Sequence, residues 1–186
     1  MSTDRFDLVP LFRGHWRTLI DLGHPTSARV GGDLWARGIV IVVPLATAVT
    51  MYGFGGKFRE PGAILTGLVL LAGGFLSAFT HVASLRQRLT ERAAQYEHAE
   101  RANRDYLDET ATSLLVGSLL SGVAATFLIV AMNFASPTGG ITGIAAAIIT
   151  YLATYIGVLF LMTIPAMYAA YVETNRVRKE IAGFRS

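Results

Sequence analysis

The stretch Thr110–Phe134, TATSLLVGSLLSGVAATFLIVAMNF, contains no Asp, Glu, Lys, Arg or His. About 20 residues rising roughly 1.5 Å each cross the ~30 Å hydrocarbon core of a bilayer, so this run is long enough to span one as a helix. Within it Ser113, Gly117, Ser121 and Ala125 recur every four residues and place small side chains on one face. In lipid such a face lets two backbones approach, because helix association there depends on close packing rather than on expulsion from water. Asp108 and Glu109 precede the run, which suits the positive end of a helix dipole, and Pro137 and Gly139 follow it as chain breakers.

Three other stretches share this character, at about 38–55, 61–85 and 141–171. The first, GIVIVVPLATAVTMYGF, lies between Arg37 and Lys57 and contains Pro44, whose ring removes a backbone donor and predicts a local kink. The second starts at Pro61, a residue suited to the first helical turn, and ends at Arg86. The last stays free of charge until Glu173, longer than a perpendicular crossing needs, so it tilts, kinks at Pro165 or projects beyond the bilayer. Tyr168, Tyr171 and Trp35 are expected at one interface, and Tyr52, Phe54 and Phe58 at the other.

Composition agrees. Of 186 residues 52% are hydrophobic and 16% charged, with a mean hydropathy of +0.46, and that charged share is below the quarter usual for soluble domains. Cysteine is absent, which removes disulfides, thiolate nucleophiles and cysteine metal sites from consideration. The opening residues lack the apolar core and small-residue cleavage site of a secretory signal, so the first span is read as an uncleaved signal anchor.

Direction follows from the 16 basic residues. Arg5, Arg13, Arg17, Arg29 and Arg37 precede span one; Arg86, Arg88, Arg92, Arg101 and Arg104 separate spans two and three; Arg176, Arg178, Lys179 and Arg185 follow span four. Only Lys57 and Arg59 fall on the other side. The positive-inside rule then places both termini in the cytoplasm of a multi-pass protein of the cell membrane. The two outer loops, GGKFREP and ASPTGG, are too short to hold a site.

The parts outside the spans also have a pattern. Residues 1–37 form a cytoplasmic segment in which Leu8, Leu11, Phe12, Trp16, Leu19 and Ile20 recur at helical spacing, predicting an amphipathic helix over 7–22. With Arg13 and Arg17 opposite Trp16, it suits either the headgroup layer or a groove of its own bundle. Residues 86–109 lack Gly and Pro and predict a cytoplasmic helical hairpin turning near Asn103. Leu85, Leu89, Tyr96, Asn103 and Leu107 fall near a heptad seam with too few apolar residues for a coiled coil. The tail 172–186 is basic and attracts anionic lipid at roughly 1 kcal/mol per residue near the surface, or serves only as a topological anchor.

The expected fold is therefore all-α and integral to the membrane: a four-transmembrane-helix bundle, 38–171, with an N-terminal interfacial helix and a cytoplasmic helical extension between spans two and three. Chemistry inside the spans is sparse. His81, with Ser77 one turn earlier, offers a base and a hydroxyl but no third orienting group, and a hydrogen-bonding role is the simpler reading. His15, His24 and His98 lack metal spacing, and nucleotide-binding and hydrolase motifs are missing. No cofactor, metal or catalytic residue is expected, and the scattered basic residues do not form a nucleic-acid patch.

Small and hydroxylated side chains carry the remaining signal. Gly73 with Ser77 and Gly74 with Ala78 on span two, and Gly143, Ala147, Thr150, Thr154 and Gly157 on span four, join the Ser113, Gly117 and Ser121 face as a helix-packing or pore-lining set. Threonine hydroxyls line a narrow path if several copies surround an axis, or else bond their own helix backbone. The expected function is a non-enzymatic, bacterial-type homo-oligomeric subunit, channel-like or membrane-perturbing, controlled from the cytoplasm. In architecture alone this is similar to membrane effectors of bacterial anti-phage defence systems, although no motif is specific to that family. The alternative is an anchor or sensor that recruits a soluble cytoplasmic protein. Trp16, Arg13, Arg17, Arg88, Arg92, Arg101, Arg104, Arg176, Arg178 and Lys179 are the candidate partner or lipid contacts.

Overall fold

Helices dominate the computed structural model, which describes residues 30–92, 100–135 and 140–181. They are α1 (Val30–Gly53), α2 (Pro61–Arg92), α3 (Glu100–Phe134) and α4 (Gly143–Ile181), with two short strands, β1 (Lys57–Phe58) and β2 (Ile141–Thr142). The amphipathic helix expected over 7–22, with Arg13, Trp16 and Arg17, and the end of the tail lie outside the described residues.

Three segments are long and apolar enough to cross a membrane: Pro61–Gln87, Thr110–Phe134 and Gly143–Pro165. The fourth apolar stretch, Gly38–Gly53, is shorter. Leu70 is 71% exposed, Leu161 66%, Val49 62% and Ile144 67%, a distribution of large apolar side chains that water would penalise and lipid tolerates. The chain is accordingly a membrane protein by its surface as well as by its sequence.

A heptad seam joins α2 to α3. On α2 the buried Leu68, Phe75 and Val82 alternate with the half-buried Ile64, Leu71, Ala78 and Leu85 in steps of four and three. On α3 the buried set is Leu107, Thr110, Leu114, Gly117, Ser121, Ala124 and Leu128, in the same steps. This 3.5-residue period keeps one stripe of each helix facing the other, the geometry of left-handed antiparallel pairs. Gly117 makes it fit: a Cβ there would lie 2.9 Å from the Phe75 ring, so the phenyl occupies the space a side chain would take. Phe75 also meets Phe160 of α4 edge-on, centroids 5.8 Å apart at 80°, and thereby closes a three-helix junction.

α3 is the central helix, with 39% of its apolar window buried against 11% for α2 and 22% for α4. α1 stands apart. Its main neighbour is α4, and among its described residues only Met51 packs against the common core. Val40, Pro44 and Ala48, one turn apart, form its buried stripe.

The helix ends explain the chain reversals. Gly55 at φ +61° follows α1; its amide bonds the Tyr52 carbonyl at 3.2 Å and the Gly56 amide bonds that of Met51 at 2.8 Å, the paired closure of a Schellman cap. β1 and β2 pair antiparallel, Lys57 opposite Thr142 and Phe58 opposite Ile141, so the loops at this end are tied to each other. Gly140, at φ +69°, lies where a Cβ would collide with the Phe58 carbonyl oxygen.

Two expectations about the opposite, arginine-rich end are corrected. The turn expected near Asn103 is not there: α2 ends at Arg92, α3 begins at Glu100, and Asn103 lies within α3. Asp108, read as part of a helix start, is likewise internal to α3 and instead forms a two-pronged ion pair with Arg86 of α2, Nη2 to Oδ2 at 2.7 Å. Pro44 and Pro165 both lie inside continuous helices, and α4 projects past Pro165 to Ile181.

Candidate functional site

The small residues singled out in the sequence separate into two places. Gly117 and Ser121 are buried and Ser113 half-buried on α3, with Gly117 against Phe75 and the Ser121 hydroxyl donating 2.8 Å to the Gly117 carbonyl. Ser118, one residue on from Gly117, reaches across to the Ala72 carbonyl of α2 at 3.2 Å. This face is therefore used inside the chain.

Of the α4 set, Thr154 and Ala147 lie beside α1. The Thr47 and Thr154 hydroxyls are hydrogen-bonded at 3.1 Å across the α1–α4 seam, with Thr47 also 2.9 Å from the Pro44 carbonyl. Thr150 donates to the carbonyl of Ala146, one turn back, at 2.8 Å. Thr163 does the same to Phe160 at 2.8 Å. Thr66, Thr80, Thr126 and Asn133 also bond carbonyls of their own helices, between 2.7 and 3.0 Å. Of the α4 threonines, Thr150 and Thr163 bond their own helix backbone and Thr154 bonds Thr47 of α1. A Cβ at Gly143 or Gly157 would meet no atom within 4 Å, so neither glycine is needed for packing within the chain.

Ala147 contributes to a shallow groove of about 390 Å³ lined by Ala48, Tyr52, Ile144, Ala147, Ile148 and Tyr151, between the end of α1 and the start of α4. Its walls are almost wholly apolar. Of these residues only Ala147 belongs to the sequence-derived set; Tyr52 was read as an interface marker, and nothing in the one-dimensional pattern brings it beside Ile144.

The other open surface is on α2. Gly62, Thr66, Gly73, Gly74, Ser77, Thr80, His81 and Ser84 are all exposed. Space around Gly73 and Gly74 is open, whereas Ala78 packs inward. The Thr80 hydroxyl donates to the Ser77 carbonyl and that of Ser84 to the His81 carbonyl, and among the described residues no hydrogen bond joins Ser77 to His81. No trio of His, Cys, Asp or Glu able to hold a metal occurs among the described residues.

No family model matches this chain, and no characterised protein or solved structure does so. The reading of its role therefore rests on its own surfaces. Arg88 and Arg92 lie on α2, Arg101 and Arg104 on α3, and Arg176, Arg178 and Lys179 on α4, all in the helical extensions beyond the apolar segments.

Proposed function

We propose that the chain crosses the cell membrane four times with both termini in the cytoplasm, and that it works as a non-enzymatic, self-associating subunit that is channel-like or membrane-perturbing and controlled from its arginine-rich end. The observation that carries this reading is the outward face of α2. There Gly73, Gly74 and Ser77 leave room for a close helix neighbour, and Thr80, His81 and Ser84 present polar groups on a surface otherwise suited to lipid. A second copy covers such a face at lower cost than lipid does, and several copies around an axis bring its polar groups together. The candidate lining thereby moves from Thr150 and Thr154 to α2.

The four-span topology is supported by the charge-free run Gly38–Gly53, whose short length is met by bilayer thinning and snorkelling of Arg37 and Lys57, and by the small number of cations, Lys57 and Arg59, between it and α2. Because the chain has no cysteine, single-cysteine variants report accessibility directly. Arg59→Cys is expected to react with a membrane-impermeant maleimide added outside intact cells, and Arg178→Cys only after permeabilisation; the reverse pattern inverts the topology.

Function is tested in liposomes. Dye release or single-channel current, recorded with the purified chain alone and with cytoplasmic extract, is expected to fall when Gly73→Leu blocks close approach on α2. Silence under both conditions eliminates the channel-like reading. A second reading, an anchor recruiting a soluble cytoplasmic protein, is favoured by the Arg86–Asp108 clasp, which ties α2 to α3 at the edge of the apolar region from which both helices project. Capture of a specific partner by the full chain, lost when the helical extensions are neutralised, is its expected result.

A further inference from the structure

The groove between α1 and α4 sits at the end of the molecule that carries the two separated cations. Strand pairing places Lys57 opposite Thr142, and Ile144, the first groove residue of α4, follows two positions later. Lys57 and Thr142 share the outward side of the pair, both exposed, while Phe58 and Ile141 turn toward the core. Arg59 is exposed beside them. Among the described residues the one ion pair is Arg86–Asp108, so Lys57 and Arg59 face no carboxylate partner at salt-bridge distance. The first turn of α4 contains no acidic residue, which leaves the positive end of its dipole uncompensated at the same level. From there the groove descends along Ile144, Ala147 and Ile148 on one side and Tyr52 and Ala48 on the other, with Tyr151 in its wall.

We propose that this groove, with Lys57 and Arg59 at its rim, binds one anionic phospholipid of the outer leaflet, its acyl chain along the α1–α4 cleft and its phosphate between the cations and the start of α4. Charge complementarity selects the occupant. Lys57 and Arg59 outnumber the one carboxylate of their loop, Glu60, and with the helix N-terminus favour an anion, while the walls below them accept only hydrocarbon. The volume of about 390 Å³ is within the range of small-molecule sites, roughly 300–1,000 Å³. The apolar walls lie below the charged rim, the order of parts in a phospholipid. A second copy seated here through the same face, in a two-fold contact, would bring Lys57 and Arg59 against identical charges. The inference rests on the proposed topology, in which β1 and β2 lie at the outer headgroups.

The test uses fluorescence from within the groove. The two native tryptophans, Trp16 and Trp35, are changed to Phe, and Tyr52→Trp supplies the reporter. The full-length variant is reconstituted in vesicles containing either phosphatidylglycerol or phosphatidylcholine with brominated acyl chains. Half-maximal quenching is expected at about tenfold lower mole fraction of the anionic lipid, given the strength of basic side chains at a charged surface. Lys57→Gln with Arg59→Gln is expected to abolish that preference while leaving quenching by phosphatidylcholine unchanged. Equal quenching by the two lipids overturns the proposal, as does a preference that survives the double substitution. Absence of quenching by either lipid also overturns it, because the groove is then covered by protein. Maleimide labelling of Thr142→Cys in intact cells is read separately. If it labels only after permeabilisation, the topology is wrong even where the lipid preference holds; if it labels from outside and the preference is missing, the lipid site alone falls.

Discussion

Gly117 is the residue on which the α2–α3 seam depends most directly. A methyl group at this position would come within 2.9–3.0 Å of three atoms of the Phe75 ring, which is itself only 1% exposed and held edge-on by Phe160. A buried ring has no route to solvent by which to relieve the collision. Gly117→Ala is therefore expected to destabilise the chain by about 1–3 kcal/mol, the usual cost of overpacking, in SDS-titrated unfolding from mixed micelles. Combining it with Phe75→Leu is expected to recover part of that loss, because the smaller side chain vacates the collision; a purely additive double variant contradicts the contact. Gly140 presents a backbone problem instead. Its φ of +69° and the carbonyl of Phe58 beside it leave no place for a Cβ. Gly140→Ala is expected to cost about 1–3 kcal/mol and to loosen the β1–β2 clasp, seen as faster amide exchange at Phe58.

At the scale of elements, the long apolar helices were legible because charge is excluded from lipid: the limits 110–134 read from the sequence coincide with the apolar segment of α3. The helices around them were harder to place. Asp108 and Glu109 resemble a helix start, and nothing local reveals that Asp108 instead pairs with Arg86, a contact made only when α2 and α3 lie side by side. The heptad seam was partly visible in Leu85 and Leu107, and Gly117 and Ser121 were read as a small-residue packing face, but nothing joined that face to the seam. Those seam positions are filled by small residues where a coiled-coil reading looks for large apolar ones. The α1–α4 contact had no signature, since Val40, Pro44, Thr47 and Ala48 become a seam only opposite Thr154. This hydroxyl pair gives the seam a measurable part: Thr47→Val and Thr154→Val, singly and together, are expected to show a coupling of about 0.6 kcal/mol, typical of hydrogen bonds between helices in lipid. Zero coupling would leave shape alone holding α1.

For the whole molecule, the unequal attachment of the four helices is the property with consequences. α2, α3 and α4 share one core through Phe75, Leu114, Leu128 and Ile149, whereas α1 adds Met51 to it and otherwise lies along α4. Local stability follows contact density, so α1 is expected to separate before the three-helix core opens. Two cysteine pairs in the otherwise cysteine-free chain read the two events: Thr47→Cys with Thr154→Cys across α1–α4, and Ala72→Cys with Ser118→Cys across α2–α3. As SDS is raised, cross-linking of the first pair is expected to fail at a lower mole fraction than that of the second. Simultaneous loss would mean one cooperative bundle, and α1 would then be no freer than its neighbours. Separate loss would identify α1, with the groove it forms on α4, as the part of the bundle able to move while α2 and α3 hold their register.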